Sequence, residues 1–233
     1  MKESTENILT LSRVEMQKLA TRRVEEITRE FTRGFDFLAD YPKSVTFFGA
    51  TQFKEGNTYY ESARKLASYI VAKLGYAVFS GGGPGIMEAA NRGAYEAGGD
   101  SLGLLIRLPD GQITNKYIIK SFDSHYFFVR KVLLSFSSEA FIFFPGGFGT
   151  LDEFFEILTL VQTKKITNIP IICVGSDYWN ELKKFMEREQ LRRGTITDSD
   201  LKLFHIVDDY NQIIEIIKQV PARSSDPLSK KDE

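Results

Sequence analysis

One cysteine, two histidines and one tryptophan in 233 residues remove several classes of function at once. A lone cysteine, Cys173, makes no disulfide framework and no thiolate metal cluster, and with so few histidines a zinc site is not expected either. Cys173 lies in the largely apolar run Ile169–Val174 and reads as a buried strand residue. Neither sign of charge is in excess, since 30 Lys and Arg stand against 31 Asp and Glu for a net charge of −1. No basic face is therefore expected for nucleic acid or for a membrane surface. No apolar run approaches the roughly 20 residues needed to span a bilayer. The opening Met1-Lys2-Glu3-Ser4 lacks a signal-peptide core, so a cytoplasmic protein is expected.

What the chain does have is glycine in the right places. Seven of its 18 glycines fall in two short stretches. The first, Ser80-Gly81-Gly82-Gly83-Pro84-Gly85-Ile86-Met87-Glu88, follows the apolar Tyr76–Phe79 and opens a helical pattern running to about Ala97. The second, Pro145-Gly146-Gly147-Phe148-Gly149-Thr150-Leu151-Asp152-Glu153, follows the fully apolar Ala140–Phe144 and opens another helix. A strand, a glycine turn and a helix in that order put unpaired backbone N–H groups and the positive end of a helix dipole at one point, where a phosphate is the usual occupant. Glycine is also the default turn residue, so one such stretch alone would be read as a tight turn. Two of them, the second followed one helical turn later by the carboxylate of Glu153, point to chemistry on a phosphorylated small molecule. Neither stretch is a dinucleotide fingerprint, because Ile86 and Glu88 stand where the third glycine would be, and no Lys-Ser/Thr pair follows a glycine as in a Walker loop. Hydride transfer and ATP hydrolysis are both disfavoured.

Around these turns strands and helices alternate. Strands are expected at Val45–Phe48, Tyr76–Phe79, Leu102–Ile106, Ala140–Phe144, Ile169–Val174 and Phe204–Val207. Helices are expected at Thr58–Lys73, Gly85–Ala97, His125–Ser135, Gly149–Gln162, Tyr178–Leu191 and Asn211–Lys218. Continuous apolar strands alternating with helices imply a parallel sheet covered on both faces, a Rossmann-like α/β fold spanning residues 43–220. Leu108–Ser124 is a long connection of the kind that shapes a site. Residues 1–42 form an N-terminal helical arm in which Val24, Ile27, Phe31, Phe35 and Leu38 recur at spacings of three and four. The arm has either its own domain or another subunit to pack on. The polar, proline-broken residues 221–233 read as a disordered tail.

Taken together these features resemble the LOG (Lonely Guy) family, once mislabelled as lysine decarboxylases. Its PGGxGTxxE signature is matched by Pro145, Gly146, Gly147, Gly149, Thr150 and Glu153, its upstream Arg-Lys pair by Arg130-Lys131, and the GGGPGIMEAAN form of the first glycine loop is similar as well. The resemblance runs from about Ser44 to Val220. It implies a phosphoribohydrolase that cuts the N-glycosidic bond of adenosine-type 5′-monophosphates, AMP or cytokinin riboside 5′-monophosphate, and releases free base and ribose 5-phosphate. It also implies a homo-oligomer, a substrate contact at Thr159, and no metal or organic cofactor. Where short family members read Met-His-x-Arg-Lys, this chain has Phe127-Phe128, which with the long arm is similar to the longer bacterial branch and bears on base specificity.

The residues suit that reaction on their own terms. Breaking a ribosyl–nitrogen bond passes through a transition state of oxocarbenium character, which a carboxylate at Glu153 stabilises while activating water. A permanent cation at Arg130 offsets the electron density gained by the departing base. Gly82, Gly83, Gly146, Gly147, Gly149 and Thr150 are candidates for holding phosphate and sugar, with Lys131 and Glu88 beside them. Each has a plainer reading too: Arg130 and Lys131 as solvated helix charges, Glu88 as a first-turn acid favoured by the dipole, His125 as a polar structural residue, and Tyr126-Phe127-Phe128 as packing from which one ring reaches a purine. A non-catalytic nucleotide binder or cofactor carrier on the same sheet is the rival function. It would need the glycine loops but not both Glu153 and Arg130. Lysine decarboxylation would need a Schiff-base lysine, and no motif identifies one.

Overall fold

The computed structural model describes residues 12–107, 113–166 and 169–219. A long helix α1 (Arg13–Ala39) leads into β1 (Ser44–Phe48), α2 (Thr58–Leu74), β2 (Ala77–Ser80), α3 (Ile86–Glu96) and β3 (Ser101–Ile106). Then come β4 (Lys120–Ser124), α4 (Phe127–Phe136), β5 (Ala140–Phe143), α5 (Phe148–Gln162), β6 (Ile171–Cys173), α6 (Ser176–Phe185), β7 (Phe204–Ile206) and α7 (Tyr210–Lys218). The seven strands form one sheet in the order β4-β3-β2-β1-β5-β6-β7, and every neighbouring pair is parallel. The Rossmann-like α/β expectation holds.

Strand direction explains the composition. β1, β2, β3, β5 and β6 are buried along their whole length, as parallel strands covered on both faces must be. One core packs Phe79, Phe141, Phe143, Phe154 and Trp179 on one face, and the other packs Phe47, Leu66, Ile70, Ile86 and Phe144 on the opposite face. Cys173 belongs to the first, where burial holds its thiol well above the usual pKa.

Two elements differ from expectation. β4 lies inside what reads as the long connection Leu108–Ser124. Its sequence, Lys-Ser-Phe-Asp-Ser, buries only Phe122 and Ser124, because it is the edge strand and carries no continuous apolar run. The helix expected over Tyr178–Leu191 starts at Ser176 and passes into a π-helical stretch at Met186–Leu191. Residues 221–233 lie outside the described residues.

Helix α1 begins with a capping box between Ser12 and Glu15. Its second half packs on its own domain: Phe31 meets Phe128 at 6.5 Å and Phe35 meets Phe136 at 5.9 Å, ring to ring. A Cβ at Gly34 would run into the Leu133 side chain, so the close crossing of α1 and α4 needs that glycine. Glu30 Oε1 accepts the backbone N–H groups of His125 (3.0 Å) and Tyr126 (3.1 Å), capping α4 from outside. Residues 12–26, by contrast, are exposed throughout.

The order of strands positions the site. The chain winds away from β1 in both directions, to β2 on one side and β5 on the other, so the turns leaving these two strands diverge. A crevice opens between them at their carboxyl ends, where ligands bind in open α/β sheets. Both glycine stretches flank it.

Candidate active site

The crevice is a cavity of about 390 Å³, within the range of small-molecule sites. Four segments build it: the turn after β1 (Gly49, Ala50, Thr51), the turn after β2 (Gly81, with Met87 on α3), the face of α4 carrying Phe127 and Arg130, and the start of α5 from Gly147 to Glu153. They are locked to each other through the backbone. Ala50 N–H donates to Pro145 O (3.0 Å), and Ile86 N–H donates to Ala50 O (3.0 Å). Gly85 permits this approach: it sits at φ +75°, and a Cβ there would strike Ala50 O.

Glu153 is one turn inside α5, with its side chain in the cavity lining and only 6% of its surface exposed. Its Oε2 is buried with no hydrogen-bond partner. Burial pushes its pKa up to about 7; Glu156 and Asp152 add to the rise, and Lys131 and Arg130 oppose it. Buried carboxyls with raised pKa values occur at sites where protons are transferred.

Arg130 faces it from α4. Its Nε donates to Leu104 O at 2.8 Å, and Nη2 lies 3.5 Å from Gly81 O. Gly81 makes room for it, since a Cβ at that position would collide with Nη2. Burial draws the guanidinium pKa down while Glu153 works in the opposite sense, and the group remains a cation.

The start of α5 has the form of an anion site. Gly147 is its N-cap and carries no side-chain cap, leaving the Phe148 and Gly149 amides without intrahelical partners, while Thr150 N–H donates to Gly147 O at 3.1 Å. Gly147 and Gly149 are exposed, and a Cβ on either would meet nothing. Gly146 is different, since a Cβ there would overlap Thr150 Oγ1. The Tyr178 hydroxyl donates to Gly146 O at 2.9 Å and ties the turn to α6.

The remaining sequence candidates are placed as follows. Lys131 points along α5, with Nζ 2.6 Å from Asp152 Oδ2 and 2.7 Å from Glu156 Oε2. Burial opposes its charge, but these carboxylates raise its pKa above the usual lysine value. It borders the lining without belonging to it. Gly82 and Gly83 stand behind Gly81, and their carbonyls accept from Asn115 Nδ2 at 3.2 and 3.1 Å. Glu88 accepts the Tyr60 hydroxyl at 3.0 Å, away from the cavity. Thr159 is exposed two turns further along α5, its hydroxyl donating to Phe155 O at 2.7 Å. Of the aromatic cluster, Phe127 lines the cavity, whereas Phe128 turns to α1. His125 is exposed and lies outside the lining.

The turn Gly49–Thr51 escaped the sequence reading, although small residues after an apolar strand were a usable signal. Asn115 and Tyr178 had no local signal for these contacts, because the glycine carbonyls they bond lie 32 or more residues away. Among the described residues no group of three or more His, Cys, Asp or Glu could hold a metal ion, and no helix is long and apolar enough to cross a membrane.

A parallel sheet with a cavity at its switch point, lined by Glu153, Arg130 and the start of α5, defines a Rossmann-like α/β protein. Comparison with known proteins gives its family. The family described as "Possible lysine decarboxylase" matches residues 87–217, and the chain belongs to it. Among its relatives, the cytokinin riboside 5′-monophosphate phosphoribohydrolase LOG5 of Arabidopsis thaliana is 29% identical over 74% of this chain and 76% of its own. The enzyme of the same name from Rhodococcoides fascians is 26% identical over 76% of this chain and 90% of its own. Among solved structures, the molybdenum cofactor binding protein of Rippkaea orientalis aligns with a TM-score of 0.56 at 22% identity, over 75% of this chain and 93% of its own. The molybdenum cofactor carrier protein of Chlamydomonas reinhardtii aligns with a TM-score of 0.54 at 20% identity, over 78% of this chain and 99% of its own. These two likenesses concern the fold.

Proposed function

We propose that the protein hydrolyses the N-glycosidic bond of adenosine-type nucleoside 5′-monophosphates, releasing free base and ribose 5-phosphate. The observation that carries this reading is the buried, unpartnered Glu153 carboxyl in the same cavity as Arg130 and the open first turn of α5. The names of the sequence relatives support it.

In this reading the phosphate binds the first-turn amides of α5 with Thr150, and that remote contact positions the sugar. Ionised Glu153 stabilises positive charge developing at C1′ and takes a proton from the attacking water. The water oxygen bonds to C1′ while the C1′–N bond breaks, its electron pair leaving with the base. Arg130 offsets the negative charge the base gains on departure, and the base takes up the proton that Glu153 removed from the water, which returns Glu153 to its ionised form. A pKa near 7 suits Glu153 to accept a proton at neutral pH. A purely binding protein would have no use for an unpaired carboxyl, which costs stability and repels a phosphate.

The test is to incubate the pure protein with a panel of nucleoside 5′-monophosphates and follow base and ribose 5-phosphate by chromatography. Equimolar release is expected from at least the adenine nucleotides. Binding without release from any of them would overturn the hydrolase in favour of the carrier.

A further inference from the structure

The cavity is chemically two-ended. Arg130, Thr150 and Glu153 are buried or half-buried within it, whereas two phenylalanines stand at its mouth, Phe127 with 54% and Phe148 with 94% of their surface exposed. Phe127 opens α4 and Phe148 opens α5, so two of the three helices whose first turns border the cavity begin with an aromatic ring. Single exposed apolar residues are ordinary. Two rings at the mouth of one polar cavity, one of them flanked by the bare backbone of Gly147 and Gly149, are a surface built for something flat and apolar to cover.

The lining is also short of groups that read a base edge. Among the described residues it holds no Asn, Gln or His. Asp152 is engaged by Lys131 at 2.6 Å, and the backbone N–H and C=O of Ala50 are spent on Pro145 and Ile86. Thr51 is the remaining uncharged polar side chain besides Thr150. Discrimination by hydrogen bonding to ring substituents needs such groups, and with Thr51 alone uncommitted among the described side chains, ring area is the stronger criterion.

We propose that Phe127 and Phe148 form the base subsite and select by stacking, so that purine 5′-monophosphates are taken as a class. Adenine, guanine and hypoxanthine are distinguished little, and the smaller pyrimidine rings are disfavoured. This rests on the site being a nucleoside monophosphate site. It makes both phenylalanines specificity-determining residues and leaves the chemistry to Glu153 and Arg130.

The experiment measures kcat/KM for AMP, GMP, IMP, CMP and UMP with the wild type, Phe127→Ala and Phe148→Ala. The inhibition constant of ribose 5-phosphate and the subunit number by sedimentation are determined alongside. Stacking is worth about 1–3 kcal/mol per base, or roughly five- to 150-fold. Each variant is therefore expected to lose a factor of that size on purines, mainly through KM, with ribose 5-phosphate affinity and subunit number unchanged. The wild type should treat the three purines within about tenfold of each other and pyrimidines at least about tenfold worse. A preference for AMP over GMP and IMP of a hundredfold or more would overturn the proposal, as would either variant behaving like wild type. A changed subunit number in Phe148→Ala would do the same, because the ring would then be covered by another copy of the chain. Should the wild type hydrolyse none of the five, the hydrolase reading fails separately. Equilibrium binding of the same nucleotides to the same variants then tests the stacking, with the same ranking expected.

Discussion

Glu153 holds an acid in a place that suits the neutral form. Its pKa rises from 4.5 to about 7 chiefly because burial strips it of water. The sign for stability follows. Between pH 4.5 and 7 the unfolded chain has released this proton while the folded chain retains it, so folding stability falls as pH rises through that window and levels off above it. Replacing Glu153 by Gln removes the titration. The variant should match wild type in denaturant unfolding near pH 4 and exceed it by about 1–3 kcal/mol at pH 8. It should also lose roughly 10²-fold or more in kcat, the scale of one transition-state electrostatic contact, while nucleotide binding largely survives. Near-normal kcat would remove Glu153 from the chemistry, and equal stability at both pH values would remove the strain.

The same residue sets a pH profile. As a base it works ionised, so kcat/KM should climb through an apparent pKa of about 7, above the second phosphate ionisation of the substrate near pH 6. A profile already flat between pH 6 and 8 would contradict this.

At the scale of elements, the first turn of α5 is the feature with the clearest demand on the substrate. Exposed Gly147 and Gly149 leave its amides open, and Tyr178 holds the turn from α6. That arrangement serves an anion. AMP should therefore be cleaved with a far higher kcat/KM than adenosine, because the phosphate contact positions the sugar. Equal values for the two would show that the turn plays no part. Lys131 has a separate duty: its ion pairs with Asp152 and Glu156 strap α4 to α5, keeping the helix that carries Arg130 against the one that carries Glu153.

For the whole molecule, α1 divides the arm in two. Residues from Ile27 onward pack on their own domain, whereas Val14, Met16, Leu19 and Val24 are exposed. The expectation is that another copy of the chain covers these four side chains. Deleting residues 1–24 should lower the subunit number in light scattering and leave the melting temperature unchanged. Deleting 1–40 should also destabilise the fold, since Phe31, Phe37 and Leu38 pack into the core. A full-length protein that is strictly monomeric would end the idea of assembly through the arm.

Much of this was written in the linear chain. Continuous apolar strands such as Ala140–Phe143 can only be buried on both faces, and a glycine turn between strand and helix can only lie at the carboxyl edge of a parallel sheet. The fold class and the place of the second glycine turn were legible for that reason, whereas Glu153 and Arg130 were singled out by the motif they match, and both line the cavity. The edge strand β4 was not, because a strand buried on alternate residues and short of apolar side chains has no local mark. Only the tertiary structure decided which candidates meet. It put Gly81 and the Gly49–Thr51 turn at the cavity, set Gly82 and Gly83 behind it, held Glu88 on Tyr60, and turned Phe127 inward while Phe128 faced α1. Spacing along a chain says which face of an element a residue occupies. What that face meets depends on the order of the strands, and this sheet begins at its centre and grows outward in both directions.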